Sequence, residues 1–388
     1  MLATAGDDNT AIVWDLTAMP QPQQLGPALT SHTDRVTAAT FASDGRTLAT
    51  AGDDSTVILW DLTERAPPEP LGPALTSHTG RVTAATFASG GPTILATAGS
   101  DGTVILWDLT ERAPPRRLGQ PLTGQSSPVD SVMFTSDGHA LDITSSDGTV
   151  TQRDVTDPER PTVGQPRTRS SSLLDSLASA PDGNIMVTAS GDGTAILWDI
   201  TDRTQPRRLE QQLTGHRKLV SAAAFSTDGN TLVTASGDGD AILWNVTDRS
   251  EPRRLGQLTG HRKLVTAAAF STDGNTLATA SDDGTVILWD LTDRTQPRPL
   301  GKPLTGHTGS VTSVAFAPGR DLLATGGSDA TVILWDLTDL DRLRDHATER
   351  ACAATGRGLD PIEWDRHVSG LPYRDTCALI AAGGDGSR

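Results

Sequence analysis

The chain has 388 residues, a formal net charge of −16 and 36% hydrophobic residues, with no apolar run near the roughly 20 residues that cross a bilayer. The negative balance argues against generic nucleic-acid or anionic-membrane partners, which need basic surface. Two cysteines, Cys352 and Cys377, are too few for a disulfide scaffold, and the first residues lack a charged-then-apolar signal pattern. A cytoplasmic setting is therefore expected.

In chain order, the first element is a hairpin over 2–15, ending on Trp14-Asp15. A proline-bearing polar loop follows, and then a weak strand near 23–30. From there the chain repeats itself. Nearly the same string closes each unit, at Trp60-Asp61, Trp107-Asp108, Trp198-Asp199, Trp244-Asn245, Trp289-Asp290 and Trp335-Asp336, with a damaged copy at Arg153-Asp154. Counted from Trp14, the intervals are 46, 47, 46, 45, 46, 45 and 46 residues. A fixed period near 45 means stacked identical units.

The unit over 259–304 shows the internal plan. The run 264–270 reads as a buried strand, and 271–275 carries an Asp-Gly turn. A second strand covers 276–281, a second turn 282–284, and the most apolar strand 285–289. A polar loop with Pro297 follows. The stretch 298–304 is a fourth strand whose prolines suit only a sheet edge. Four antiparallel strands per unit, repeated at this period, predict an all-β propeller of four-stranded blades.

Gly215-His216, Gly260-His261 and Gly306-His307 each place a His 28 residues before the Trp; His32 keeps that spacing and His78 has 29. With the Trp-Asp endings, residues 2–337 resemble the WD-repeat β-propeller family. The resemblance implies a hydrogen-bonded set in each blade, joining His, Ser or Thr, Asp and the Trp indole. By position these are His32, Thr50, Asp54 and Trp60; His78, Thr97, Asp101 and Trp107; His216, Thr234, Asp238 and Trp244; His261, Thr279, Asp283 and Trp289; and His307, Thr325, Asp329 and Trp335. A buried indole and a buried imidazole both need partners, and a hydroxyl and a carboxylate supply them.

Two adjacent units depart from the pattern. One has Gln125, Ile143, Asp147 and Arg153 at the four positions; the next has Ser170 for His and Ser179 for the core Phe, but keeps Thr188, Asp192 and Trp198. These blades are expected to be the least rigid. Counting strands, the last blade stops after its third strand, and the strand near 23–30 is available to complete it. Seven blades with the 2–15 hairpin surplus are expected, the alternative being eight blades with incomplete first and last members. Beginning mid-blade suggests a piece of a longer array.

After Leu337 the periodicity becomes helical, so a propeller over 1–337 and a small helical tail over 338–388 are expected. The run from Ala351 to Cys377 resembles the tail that closes WD-repeat regions of large multidomain signalling proteins of actinobacteria. That resemblance implies an upstream nucleotide-binding domain of the same gene product.

The positions that vary among near-identical units point to a binding surface. Three residues after the Gly-His position stand Arg35, Arg81, Pro128, Leu173, Leu219, Leu264 and Ser310, each before a first strand, with Arg217, Lys218, Arg262 and Lys263 beside them. They should ring one face near the central channel and receive a protein or peptide. The expected function is a non-catalytic interaction scaffold or sensor module within a larger signalling protein. The alternative is an enzyme with a carboxylate-based site at the channel mouth. No phosphate loop or nucleophile elbow occurs, and the Asp-Gly turns lack the spaced Glu of a calcium loop. No cofactor and no metal site are expected.

Overall fold

The computed structural model describes residues 2–5, 11–14, 22–63, 68–88, 94–110, 115–125, 127–169, 174–202 and 206–338, with side chains placed from 22 onward except in 163–175. The expected helical tail beyond Thr338, Cys352, Cys377, Leu173 and Ser170 lie outside the described residues. The chain divides into two units, one of 24–335 and one of 1–23 with 336–388. In the second unit, Leu2–Ala5 and Ala11–Trp14 form the predicted antiparallel hairpin.

The 24–335 unit is built from four-stranded antiparallel sheets, seven in all once Val311–Phe316, Leu322–Gly327 and Val332–Asp336 take their fourth strand from the N-terminal side. We number the blades from the one that starts at Val36. First strands of consecutive blades adjoin one another all the way round, the seventh meeting the first. The ring therefore closes with seven blades. The closing strand is the weak one read near 23–30: Leu25 N–H donates to the Leu334 oxygen at 2.7 Å, and Leu29 and Val332 exchange two bonds of 2.8 and 3.0 Å.

Burial follows from position in the blade. Second strands such as Thr47–Gly52, Thr231–Ser236 and Thr276–Ser281 are buried at every residue, because neighbouring blades cover both faces. Their alternating Leu and Ala let the blades approach closely. Third strands, as in Val57–Asp61, supply the bulk with Val, Ile, Leu and Trp. Fourth strands are polar and exposed: Glu69–Pro70 and Arg298–Pro299 are short edge pieces, and the Arg116-Arg117, Arg207-Arg208 and Arg253-Arg254 pairs lie on this edge. Edge charge and proline discourage further sheet pairing.

One backbone device recurs in every blade. The pairing of first and second strands shifts register after the first residue, leaving one extra residue in the first strand: Thr37, Thr83, Asp130, Asp175, Ser221, Thr266 and Thr312. A bulge of this kind re-aims its side chain. Here the hydroxyls reach the next blade. Thr37 donates to the Val82 oxygen at 2.6 Å, Thr83 to Val129 at 2.6 Å and Thr266 to Val311 at 2.5 Å. Ser221 donates likewise to Val265, and Thr312 to Val36, which joins the last blade to the first. All five hydroxyls at the bulge position thus belong to one belt of inter-blade bonds.

A second set of ties lies at the opposite end of the blades. Arg294, after the third strand of blade 6, reaches Asp228 and Thr231 of blade 5, both at 2.8 Å. Arg249 of blade 5 pairs in the same sense with Asp182 of blade 4. Arg320 of blade 7 donates to the Leu62 oxygen of blade 1 at 2.7 Å, reinforcing the closure.

Candidate functional site

The predicted His–Thr–Asp–Trp sets are present in blades 1, 2, 5, 6 and 7. In blade 1, His32 Nε2 and Trp60 Nε1 both meet Thr50 Oγ1 at 2.9 Å, and His32 Nδ1 meets Asp54 at 2.9 Å. Blade 2 repeats this with His78, Thr97, Asp101 and Trp107. Blade 6 does so with His261, Thr279, Asp283 and Trp289, and blade 7 with His307, Thr325, Asp329 and Trp335. In blade 5 Trp244 and His216 reach Thr234, but His216 Nδ1 stands 3.5 Å from Asp238 and makes no hydrogen bond. One orientation of protons satisfies the full sets. The indole N–H donates to the threonine hydroxyl, that hydroxyl donates to Nε2, and Nδ1–H donates to the carboxylate.

Burial and hydrogen bonding pull on the titratable groups of the sets in opposite directions. Burial pushes the imidazoles of His78, His216 and His261 below their usual value, against the pull of the neighbouring carboxylates. For Asp54, Asp101, Asp238, Asp283 and Asp329 burial works upward, yet the hydrogen bonds they accept outweigh it and hold them below the carboxylate range. Asp329 is lowered to about 2.

Each of these carboxylates also pins the loop before a first strand. Asp54 accepts the Thr33 amide at 2.9 Å, Asp101 that of Thr79 at 2.8 Å, Asp238 that of Arg217 at 2.9 Å, Asp283 that of Arg262 at 2.9 Å and Asp329 that of Thr308 at 2.7 Å. Two residues on, the chain is pinned again. The carbonyls of Arg35, Arg81, Pro128, Leu219, Leu264 and Ser310 accept amides of Asp53, Ser100, Ser146, Gly237, Asp282 and Ser328 at 2.8–3.0 Å. All six described rim positions therefore share one backbone geometry.

Their side chains are left to solvent. Arg35, Arg81 and Pro128 are exposed, as are Arg217, Lys218, Arg262 and Lys263, while Leu219, Leu264 and Ser310 are half-buried. Leu219 and Leu264 pack close to Gly237 on either side. A Cβ there would stand 3.3 Å from Leu264 Cδ1, 3.4 Å from Lys218 Cβ and 3.5 Å from Leu219 Cγ. The predicted rim is thus a fixed frame with varied, available side chains at one end of the ring.

The profile of the WD40 family, described as WD domain, G-beta repeat, matches residues 23–61, 70–108, 167–199, 207–245, 252–290 and 298–336. The chain belongs to the WD40 repeat family. A comparison with curated proteins returns no individual match. The unmatched stretch 109–166 spans most of blade 3, whose WD40 set is the most altered.

That blade is not simply emptied. Gln125 takes the His position and bridges two neighbours, donating to Thr151 at 2.8 Å and accepting from Ser145 at 2.9 Å. Arg153 takes the Trp position, buried to 6% exposure, with one guanidinium nitrogen on the Thr123 oxygen at 2.7 Å. Its Nε has no partner, and burial lowers its pKa. Blade 4 keeps the Trp198–Thr188 bond at 3.0 Å. The expectation that only Asp147 survives in blade 3 is correct for residue identity, but the Gln125 bridge is a replacement the sequence pattern does not announce.

The carboxylates of the WD40 sets serve their own blades and do not converge on a shared centre. Among the described residues no group of three or more His, Cys, Asp or Glu is arranged to hold a metal.

Proposed function

We propose that this WD40 propeller is a non-catalytic protein-interaction module whose partner, a protein or peptide, docks on the rim formed by the residues before the first strands. WD40 propellers are typically protein-interaction scaffolds. The observation that carries the reading is the rim itself: six positions with one pinned backbone geometry and side chains of four kinds, where the rest of the repeat is nearly invariant. A frame that is rigid without help from these side chains leaves them available for recognition.

Chemistry on the rim favours a peptide with an aliphatic side chain and acidic flanks. Leu219 and Leu264 offer half-buried apolar contact on either side of Gly237, and exposed Lys218, Arg217, Arg262 and Lys263 flank them with positive charge. A photo-crosslinking residue introduced at Leu219 or Arg81 should capture the partner, and the same residue at Arg117 on the outer edge should not. Equal capture at all three positions refutes the rim as the docking face. The likeness of the run from Ala351 to Cys377 to actinobacterial signalling proteins supports a sensor role inside a larger cytoplasmic protein with a nucleotide-binding domain. Reading the gene upstream for such a domain in frame tests that part.

A further inference from the structure

The inter-blade belt has two exceptions, and they are adjacent. Asp130 and Asp175 occupy the bulge position in blades 3 and 4, where five other blades carry Thr or Ser. The bulge itself is retained in both, and in blade 3 the backbone still presents the Asp130 side chain at the belt position. What is missing is a permanent donor. A hydroxyl always has a proton to give to the next blade's carbonyl, whereas a carboxylate has none.

We propose that Asp130 makes the seam between blades 3 and 4 a pH-responsive joint: protonated, it donates to the Leu174 carbonyl as the hydroxyls do elsewhere, and ionised, it leaves that bond unmade. The counterpart bond at the preceding seam runs from Thr83 Oγ1 to the Val129 oxygen, the first residue of the next first strand. Leu174 is the first residue of its strand in the same register. In the present state the Asp130 carboxylate accepts from Ser146 Oγ at 2.8 Å, toward the rim end of its own blade.

The groups around Asp130 set where it titrates. Burial pushes its carboxyl upward, Ser146 and the Arg81 cation on the preceding blade's rim work downward, and Asp147 on its own turn adds to the rise. The upward effects prevail. Asp175 stands at the equivalent register position of the following blade's first strand. A raised folded pKa means that stability is fully present below the unfolded value near 3.8 and is lost as pH rises through the folded value. The joint therefore tightens on mild acidification and loosens at neutrality. The Asp residues of the WD40 sets shift the opposite way, so they stay ionised across that window.

Because the seam borders the two altered blades, its opening leaves the intact blades 5, 6, 7, 1 and 2 joined through their own belt bonds. The fold thereby localises any pH response to one sector of the ring, next to the rim position Pro128.

Hydrogen exchange on the full chain tests this, with protection corrected for the intrinsic rate and compared between about pH 7 and about pH 4.5. In the wild type, protection across Leu174–Ser179 should rise about fivefold on acidification, the equilibrium equivalent of one hydrogen bond. Val265–Phe270, at the Ser221 seam, should not change. Asp130→Asn and Asp130→Thr each carry a permanent donor and should show the higher protection at both pH values. If protection across 174–179 ignores pH, or if both variants retain the wild-type pH response, the proposal is wrong. Should the threonine variant misfold, the asparagine variant alone decides.

Discussion

Thr312 Oγ1 donates its proton to the main-chain oxygen of Val36, a residue 276 positions earlier in the chain. The same hydroxyl lies 2.9 Å from the Gly326 oxygen of its own blade. One side chain thus ties blade 7 internally and to blade 1, at the point where chain connectivity gives no help. Thr312→Val keeps the shape but removes the donor and leaves a buried carbonyl unmet. It should lower stability by about 1–3 kcal/mol, read from the denaturation midpoint in urea. It should also loosen the closing strand, seen as faster exchange of the Leu25 and Leu29 amides. A variant indistinguishable from wild type in both readouts would show that the belt does not hold the ring.

The threonine at the centre of each WD40 set receives the indole proton and meets the imidazole, so it is the costliest member to lose. Thr279→Val should destabilise by about 2 kcal/mol or more, since it strands two buried partners, His261 and Trp289. Chemical denaturation with tryptophan fluorescence measures both the stability loss and the changed indole environment.

Two turns are strained where a glycine is absent. Ser55 and Ala330 hold φ of 66° and 63° at the position where Gly102, Gly193, Gly239 and Gly284 stand in other blades. Ser55→Gly and Ala330→Gly relieve that conformation. Each should raise stability by about 0.5–1 kcal/mol, net of the added freedom in the unfolded chain, checked by shifts in Tm.

Acid should unfold the ring through the opposite pair of carboxylates. Asp329 and Asp228 are both held to about 2, the first by Thr331, the Thr308 amide and His307, the second by Ser226, the Asn230 amide and Arg294, each against the pull of burial. A lowered folded pKa contributes stability that is present above the unfolded value and lost as pH falls through the folded one. Stability should therefore decline between about pH 4 and about pH 2, and Asp329→Asn should flatten that decline in a pH series of urea melts.

Blade 3 offers a test of interdependence. Arg153→Trp alone should destabilise, because its indole N–H would meet Ile143 where the other blades have threonine. Adding Ile143→Thr and Gln125→His should recover stability beyond the sum of single effects, measured as a non-additive change in denaturation midpoint.

Much of this was legible before any coordinates. Period, strand order and turns are written in the Trp-Asp endings and Asp-Gly pairs, and counting strands identifies 23–30 as the closing piece. The His32 and Thr50 type sets follow from spacing once the resemblance is seen. The belt was not legible, because a threonine after Val36 looks like any strand residue; only the bulge reveals where it points. Gln125 was hidden for a related reason, since its role rests on Thr151 and Ser145 from two other strands. The rim residues were found by their variation, but their common geometry comes from turn amides such as that of Gly237, which carry no side-chain signal.

The proposed function puts the partner site of the WD40 ring on the rim and leaves the blade-internal sets to hold the frame. The most direct measurement compares partner recovery by the wild type and by Arg81→Ala/Leu219→Ala/Leu264→Ala, with folding of both verified by circular dichroism and Tm. The account predicts that the triple variant keeps its Tm within a few degrees and loses the partners that the wild type retains. A folded triple variant that recovers the same partners in the same amounts would contradict it.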